Sequence, residues 1–228
     1  MLSPWFIYQG ESSIDALRPN ADLLRSISVC GNPTAEFVSQ CHELGIKVHA
    51  LVGIEGKDGA QFATPEGRRE LIAGYLARCE EKGFDGIDLD FESLDRKCRQ
   101  SYSALLRETA AALHGAGKEL SMCVSYVMCT WRSNTTPVAD PEAEIDGGWY
   151  DPVVIGQTCD VVRVMCYDMI SPSSTVVGPV STAPWARDAM TFWSRHVPKE
   201  KLVMGLPAYS RDFVLSGKRE ILSPYMPA

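Results

Sequence analysis

Asp85-Gly86-Ile87-Asp88-Leu89-Asp90-Phe91-Glu92 carries three acids two residues apart, with apolar residues between them. On a β-strand, side chains at i, i+2 and i+4 leave one face, about 6.5–7 Å apart per step. The spacing therefore predicts a strand on which Asp88, Asp90 and Glu92 point one way and Ile87, Leu89 and Phe91 the other. Carboxylates held this close repel. At least one is expected to keep a proton near neutral pH, which is what a general acid needs. A polar-faced edge strand, or oxygen ligands for a hard cation, would use the same residues and stand as the competing readings.

Outward from that octapeptide, helix and strand patterns alternate in both directions. Upstream, Thr64-Pro65-Glu66 opens a helix with Leu71, Ile72, Tyr75, Leu76 and Cys79 on one stripe, and Gly83 ends it. Strands are expected at Trp5 to Tyr8, Leu24 to Cys30 and Ile46 to Val52. Pro33 suits the first turn of a helix capped by Asn32. Downstream, Asp95 starts a long helix that ends at Gly115 and Gly117. Leu120 to Tyr126 reads as a fifth strand, Tyr150 to Thr158 as a short helix and Val161 to Tyr167 as a sixth strand. Trp185 to His196 is a further helix and Leu202 to Pro207 a seventh strand. Strand and helix in regular alternation, with strands of buried type, predict an α/β fold. The number of units points to a TIM-type (β/α)8 barrel with seven recognisable strands.

Composition limits the function. The chain has 228 residues, 45% hydrophobic and 22% charged, enough for one large core. Twenty-two basic and 29 acidic residues leave a net charge of −7, which disfavours nucleic acid and acidic membranes as partners. No apolar run reaches the ~18 residues of a membrane span, and the start shows no signal-peptide pattern. The eight cysteines form no CxxC pair, so a zinc site is not expected; most read as buried free thiols, which leans toward a reducing compartment. No cofactor is implied.

The octapeptide, entered through Gly83-Phe84, resembles the fourth-strand Asp-Gly-x-Asp-x-Asp-x-Glu motif of family 18 glycoside hydrolases, the chitinase family. Two more segments are similar to that family: Asp160 to Asp168, ending Met165-Cys166-Tyr167-Asp168, and Val197 to Arg211, with Ser210 where a glycine is usual. The resemblance covers about Leu24 to Phe213. It implies one glycoside hydrolase catalytic domain over 1–228 that cleaves β-1,4-linked N-acetylglucosamine glycans by a substrate-assisted, retaining mechanism. Most glycosidases use two carboxyls; here the sugar's own acetamido carbonyl would be the nucleophile. By the resemblance, Glu92 is the acid and base, Asp90 orients the acetamido N–H, and Asp88 shares a proton with Asp90. Tyr167 hydrogen-bonds the acetamido oxygen, Met165 and Asp168 line the pocket, and Tyr209 and Tyr126 contact sugar. Trp131 and Trp149 flank a long loop and could stack on sugar rings.

Two departures from the family pattern shape the expectations. Its third strand often ends in a serine that supports the innermost aspartate, but the chain reads Leu51-Val52-Gly53-Ile54, so Asp88 must find another partner or stay protonated. Only fifteen residues follow Phe213, with no counterpart of the tryptophan-bearing eighth strand; Arg219 to Leu222 offers at most one short strand. A barrel cut short at its C-terminus would leave open edges on its first and seventh strands, which invite self-association. A carbohydrate-binding relative that no longer cleaves is the alternative function. Such lectins usually lose the acid, and Glu92 is present. A metal-dependent barrel enzyme using Asp88 and Asp90 as ligands lacks any supporting histidine or second acid cluster.

Overall fold

The structure, a computed structural model, describes residues 1–54, 56–126, 148–170, 177–215 and 221–225. Trp131 lies outside the described residues. Seven strands form one sheet in sequence order: β1 (Trp5–Ile7), β2 (Ser26–Cys30), β3 (Lys47–Val52), β4 (Gly86–Leu89), β5 (Glu119–Ser125), β6 (Val161–Met165) and β7 (Leu202–Gly205). The strands run parallel, as an incomplete (β/α)8 barrel requires. β1 and β7 stand at the two ends of this order. Asp212–Leu215 (β8) and Ile221–Tyr225 (β9) pair antiparallel as a separate two-stranded sheet, so the last segment forms a hairpin rather than one short strand.

The helices between strands start where side chains can satisfy free backbone amides. Helix α1 covers Ile14–Leu17 and α2 covers Ala35–Glu43. Thr34, not Asn32, caps α2: its hydroxyl accepts from Phe37 N at 3.1 Å, leaving Pro33 outside the helix. Helix α3 (Pro65–Lys82) is capped by Thr64, which accepts from Gly67 N at 3.1 Å, and ends at Gly83 with φ 80°. That left-handed turn feeds the chain straight into β4. Helix α4 (Arg99–Gly115) follows a 3-10 turn at Arg96–Cys98, α5 (Pro152–Thr158) is capped by Asp151, and α6 is Ala183–Ser194. No helix among the described residues is long and apolar enough to cross a membrane.

The described residues divide into two compact units. One holds 1–124, 148–163 and 197–203; the other holds 125–126, 164–170, 177–196, 204–215 and 221–225. In the first unit, β2, β3, β4 and β5 are two-faced. Ile27, Val29, Val48, Ala50, Ile87 and Leu89 are fully buried on one side. The alternate positions are polar and just as buried: Ser26, Ser28, His49, Asp88, Ser121 and Arg163. Ser28 on β2 and Arg163 on β6 both reach Asp88 on β4, although neither strand adjoins β4. These contacts therefore cross the hollow of a curved sheet. Barrels of this kind usually fill that space with branched aliphatic side chains. Here it holds charges.

Gly86 is the small residue this packing needs. A Cβ there would stand 2.2 Å from Glu119 O on the adjoining strand, a distance no side-chain carbon tolerates.

Candidate active site

The acid row begins inside β4 and runs past its end. Asp88 is in the strand and fully buried; the strand stops at Leu89, so Asp90 and Glu92 lie on the segment beyond it. Asp90 is half-buried and Glu92 exposed. The expectation of one strand carrying all three acids is thus corrected. Phe91 turns inward between the last two, stacked 5.5 Å from the Tyr102 ring and 6.1 Å from Phe62, and together with one backbone bond, Asp90 N donating to Val52 O at 2.8 Å, this anchors the segment.

Asp88 does find partners. Ser28 Oγ donates to its Oδ2, Ser121 Oγ donates to Oδ1 at 2.7 Å, and Arg163 Nη1 lies 3.1 Å from Oδ1. The Cys123 thiol adds a contact at 3.4 Å to Oδ2. Ser121 stands directly across from Asp88 in the β4–β5 register. None of these partners belongs to the acidic octapeptide. The signal for them was the alternation within each strand: Ser26 and Ser28, His49, Ser121 and Cys123, and a lone arginine in Val161-Val162-Arg163-Val164-Met165.

Asp90 is the perturbed member of the row. Its carboxyl is pushed up from an ordinary value near 3.8 to about 6, first by burial and then by the charges of Glu92 and Asp88. Its Oδ1 is buried and accepts no hydrogen bond among the described residues. An acid whose folded value lies above its unfolded one destabilises the fold once ionised. The cost sets in as pH rises from about 4 to about 6 and is complete above that, at about 3 kcal/mol before solvent screening of this partly exposed group and about 2 kcal/mol after it. Asp90→Asn is therefore expected to raise Tm at pH 7 by about 4–8 °C, an advantage that fades toward pH 4. Thermal melts at both pH values check this; an unchanged or lower Tm at pH 7 would mean the carboxyl is not strained.

The second unit holds the remaining expected site residues. Met165 ends β6 and is buried. Tyr167 and Asp168 follow the strand instead of lying in it, and Asp168 takes a positive φ of 59°. The Asp168 carboxylate accepts from Tyr209 Oη at 2.7 Å and pairs with Arg211 Nη2. The Tyr167 and Tyr209 rings meet edge to face at 6.3 Å, and the Arg211 guanidinium lies 5.3 Å from the Tyr209 centroid. Tyr167, Asp168 and Tyr209 are thus brought into one cluster, to which Arg211 adds a buried cation. Tyr126 sits apart from them, half-buried against Trp185 at 4.6 Å. In the first unit, Trp149 packs on Tyr150 at 4.8 Å.

No group of three or more His, Cys, Asp or Glu among the described residues could hold a metal ion. Asp88 in particular already spends its oxygens on hydroxyl and guanidinium donors.

A curved parallel sheet with an acid row leaving its fourth strand defines a class of barrel glycosidases, and comparison with known proteins agrees. The model of glycosyl hydrolases family 18 matches residues 29–224, and the chain belongs to that family. It is 28% identical over 176 residues to a probable endochitinase of Caenorhabditis elegans, covering 70% of this chain and 27% of that protein. Among solved structures, a chitinase from Chromobacterium violaceum superposes with a TM-score of 0.79 at 22% identity, over 99% of this chain and 73% of that one. The Group IV chitinase of Ostrinia furnacalis, solved in complex with allosamidin, gives 0.71 at 22%, over 99% and 71%. The chain spans 27% to 45% of the length of the first curated relatives it matches.

Proposed function

We propose that this chain hydrolyses β-1,4-linked N-acetylglucosamine glycans of the chitin, N-glycan-core or peptidoglycan type, with retention and with the substrate's acetamido group as nucleophile. The observation that carries the reading is the graded row: a buried ion-paired Asp88, a half-buried Asp90 near its titration point, and an exposed Glu92. Membership of family 18 supports the reaction class.

Glu92, the most accessible acid, protonates the leaving glycosidic oxygen. Asp90 accepts the acetamido N–H on its unpartnered Oδ1 and turns the carbonyl oxygen toward the anomeric carbon. That oxygen attacks as the glycosidic bond breaks, giving an oxazolinium-like ring, whose positive charge the ionised Asp90 stabilises. Family resemblance assigns the acetamido oxygen to Tyr167 and sugar contact to Met165, Asp168, Tyr209 and Tyr126. Glu92, now a carboxylate, takes a proton from the incoming water, which opens the ring with net retention.

Removing the N-acetyl group from the sugar at the scissile bond is expected to lower kcat/KM by more than about 1000-fold, because the internal nucleophile is lost. Removing a distal hydroxyl should cost only about tenfold. Comparable losses would argue against substrate assistance. Binding of N-acetylglucosamine oligomers without any turnover would instead favour the lectin alternative.

A further inference from the structure

We propose that Cys123 is a positioning residue of the active site. The Trp5 indole fixes its sulfur, its S–H is the donor shared by the Asp88 and Asp90 carboxyls, and it holds Asp90 turned for the substrate amide. The catalytic consequence rests on the hydrolase reading above. The hydrogen-bond arrangement rests on geometry.

Cys123 lies on β5 two residues beyond Ser121 and on the same face. Ser121 stands across from Asp88 in the β4–β5 register, so one further step along that face brings Cys123 level with Asp90. Its Sγ also lies 3.4 Å from Asp88 Oδ2. One side chain thus spans the inner two acids of the row. From β1, which does not adjoin β5, Trp5 Nε1 reaches the same sulfur at 3.0 Å. An indole nitrogen can only donate, so the sulfur accepts there and its own hydrogen turns elsewhere. Asp88 Oδ2 and, one step on, the Asp90 carboxyl are the acceptors left to it.

The thiol stays a donor throughout the working pH range. Cys123 is fully buried, and burial, followed by the charges of Asp88 and Asp90, pushes its thiol well above the ordinary value near 9. Arg163 on β6 is the cation that faces it. Trp5 on β1 and Ser28 on β2 bring no charge, and His49 on β3 is engaged by Ser121 and Glu119.

Asp90 depends on this donor more than Asp88 does. Asp88 also receives Ser28, Ser121 and Arg163. The buried Oδ1 of Asp90 has no partner among the described residues. Burial and the charges of Glu92 and Asp88 push the Asp90 carboxyl up, and the Cys123 thiol pulls it down. A thiol is a weak donor, so it orients the carboxyl and still yields to a better one. When the substrate N–H arrives, the S–H turns to Asp88 and Asp90 accepts the amide.

The S–H stretching band reads this bond directly. Infrared difference spectra of the unaltered protein against Cys123→Ala isolate the band from those of the other seven cysteines. It is expected below the frequency of a free thiol. Trp5→Phe should move it upward, because the sulfur loses the group that aims it. A band at the free-thiol position, or one that Trp5→Phe leaves in place, would overturn the proposal. If Trp5→Phe does not fold, the band of the unaltered protein and the serine variant below still decide.

Kinetics test the positioning role. Cys123→Ala should lower kcat about tenfold with KM within about threefold, the loss of one hydrogen bond to a charged group. Without the donor the Asp90 carboxyl rises further, so the acidic limb of the kcat/KM profile, expected near pH 6, should move up by about half a unit. Cys123→Ser keeps a donor and should restore both. An unmoved limb, or a serine variant no better than alanine, would show that the cysteine only fills space and would sink the assignment. Absence of turnover in the unaltered protein would remove the hydrolase reading and leave the infrared result to judge the hydrogen bond.

Discussion

Glu92→Gln is expected to cut turnover of a chromogenic N-acetylglucosaminide by about 100- to 10,000-fold while oligosaccharide affinity stays within about threefold. Glutamine keeps the size and one hydrogen-bond donor of the protonated acid but has no proton to give. The leaving alkoxide would then depart unprotonated, and the returning water would find no base. Glu92 is exposed beyond the end of β4, so the substitution should leave the fold intact. Initial rates and isothermal titration with a chitin oligomer check both halves. Parallel loss of binding and turnover would mean Glu92 shapes the site, and full turnover would remove it from the mechanism.

Asp88→Leu should produce the largest loss of stability available in the barrel interior. It leaves Arg163 buried without its Asp88 countercharge and removes the carboxylate to which Ser28 and Ser121 donate. Breaking one side of a buried ion pair costs about 3–5 kcal/mol. The companion variant separates charge from shape: Asp88→Leu with Arg163→Met removes both ions and should recover most of the loss. Chemical denaturation of the two single variants and the double variant measures the coupling. A double variant no more stable than Asp88→Leu alone would show that packing, not charge, made the site costly to alter.

Much of the architecture was readable along the chain. An apolar stripe at helical spacing marked α3, and Thr64-Pro65 and Gly83 punctuated it where the structure begins and ends it. Seven strands were anticipated in order, each within a few residues. Errors came where local chemistry offers two solutions. Asn32 and Thr34 can both cap α2, and the hydroxyl that reached the Phe37 amide won. At β4, alternation continues through Glu92, but the strand ends at Leu89; past it a single bond from Asp90 N to Val52 O and the packing of Phe91 hold the segment that carries the last two acids.

The acid row itself could be named from sequence because its members are neighbours in the chain, and repulsion between adjacent carboxylates is a local matter. The row's partners could not. Ser28, Ser121 and Arg163 lie 60, 33 and 75 residues from Asp88; Ser121 meets it from the adjoining strand, Ser28 and Arg163 across the sheet's interior. The same holds for the cluster of Tyr167, Asp168, Tyr209 and Arg211, whose members come from the segments after two different strands.

Residue order alone therefore dictated that three carboxyl groups sit together at the exit of a central strand, since covalent spacing sets that distance whatever else the chain does. How each is surrounded was decided only by folding: burial and neighbouring charges push Asp90 up, and donors from distant strands enclose Asp88. Charge state belongs to the surroundings, and surroundings are tertiary.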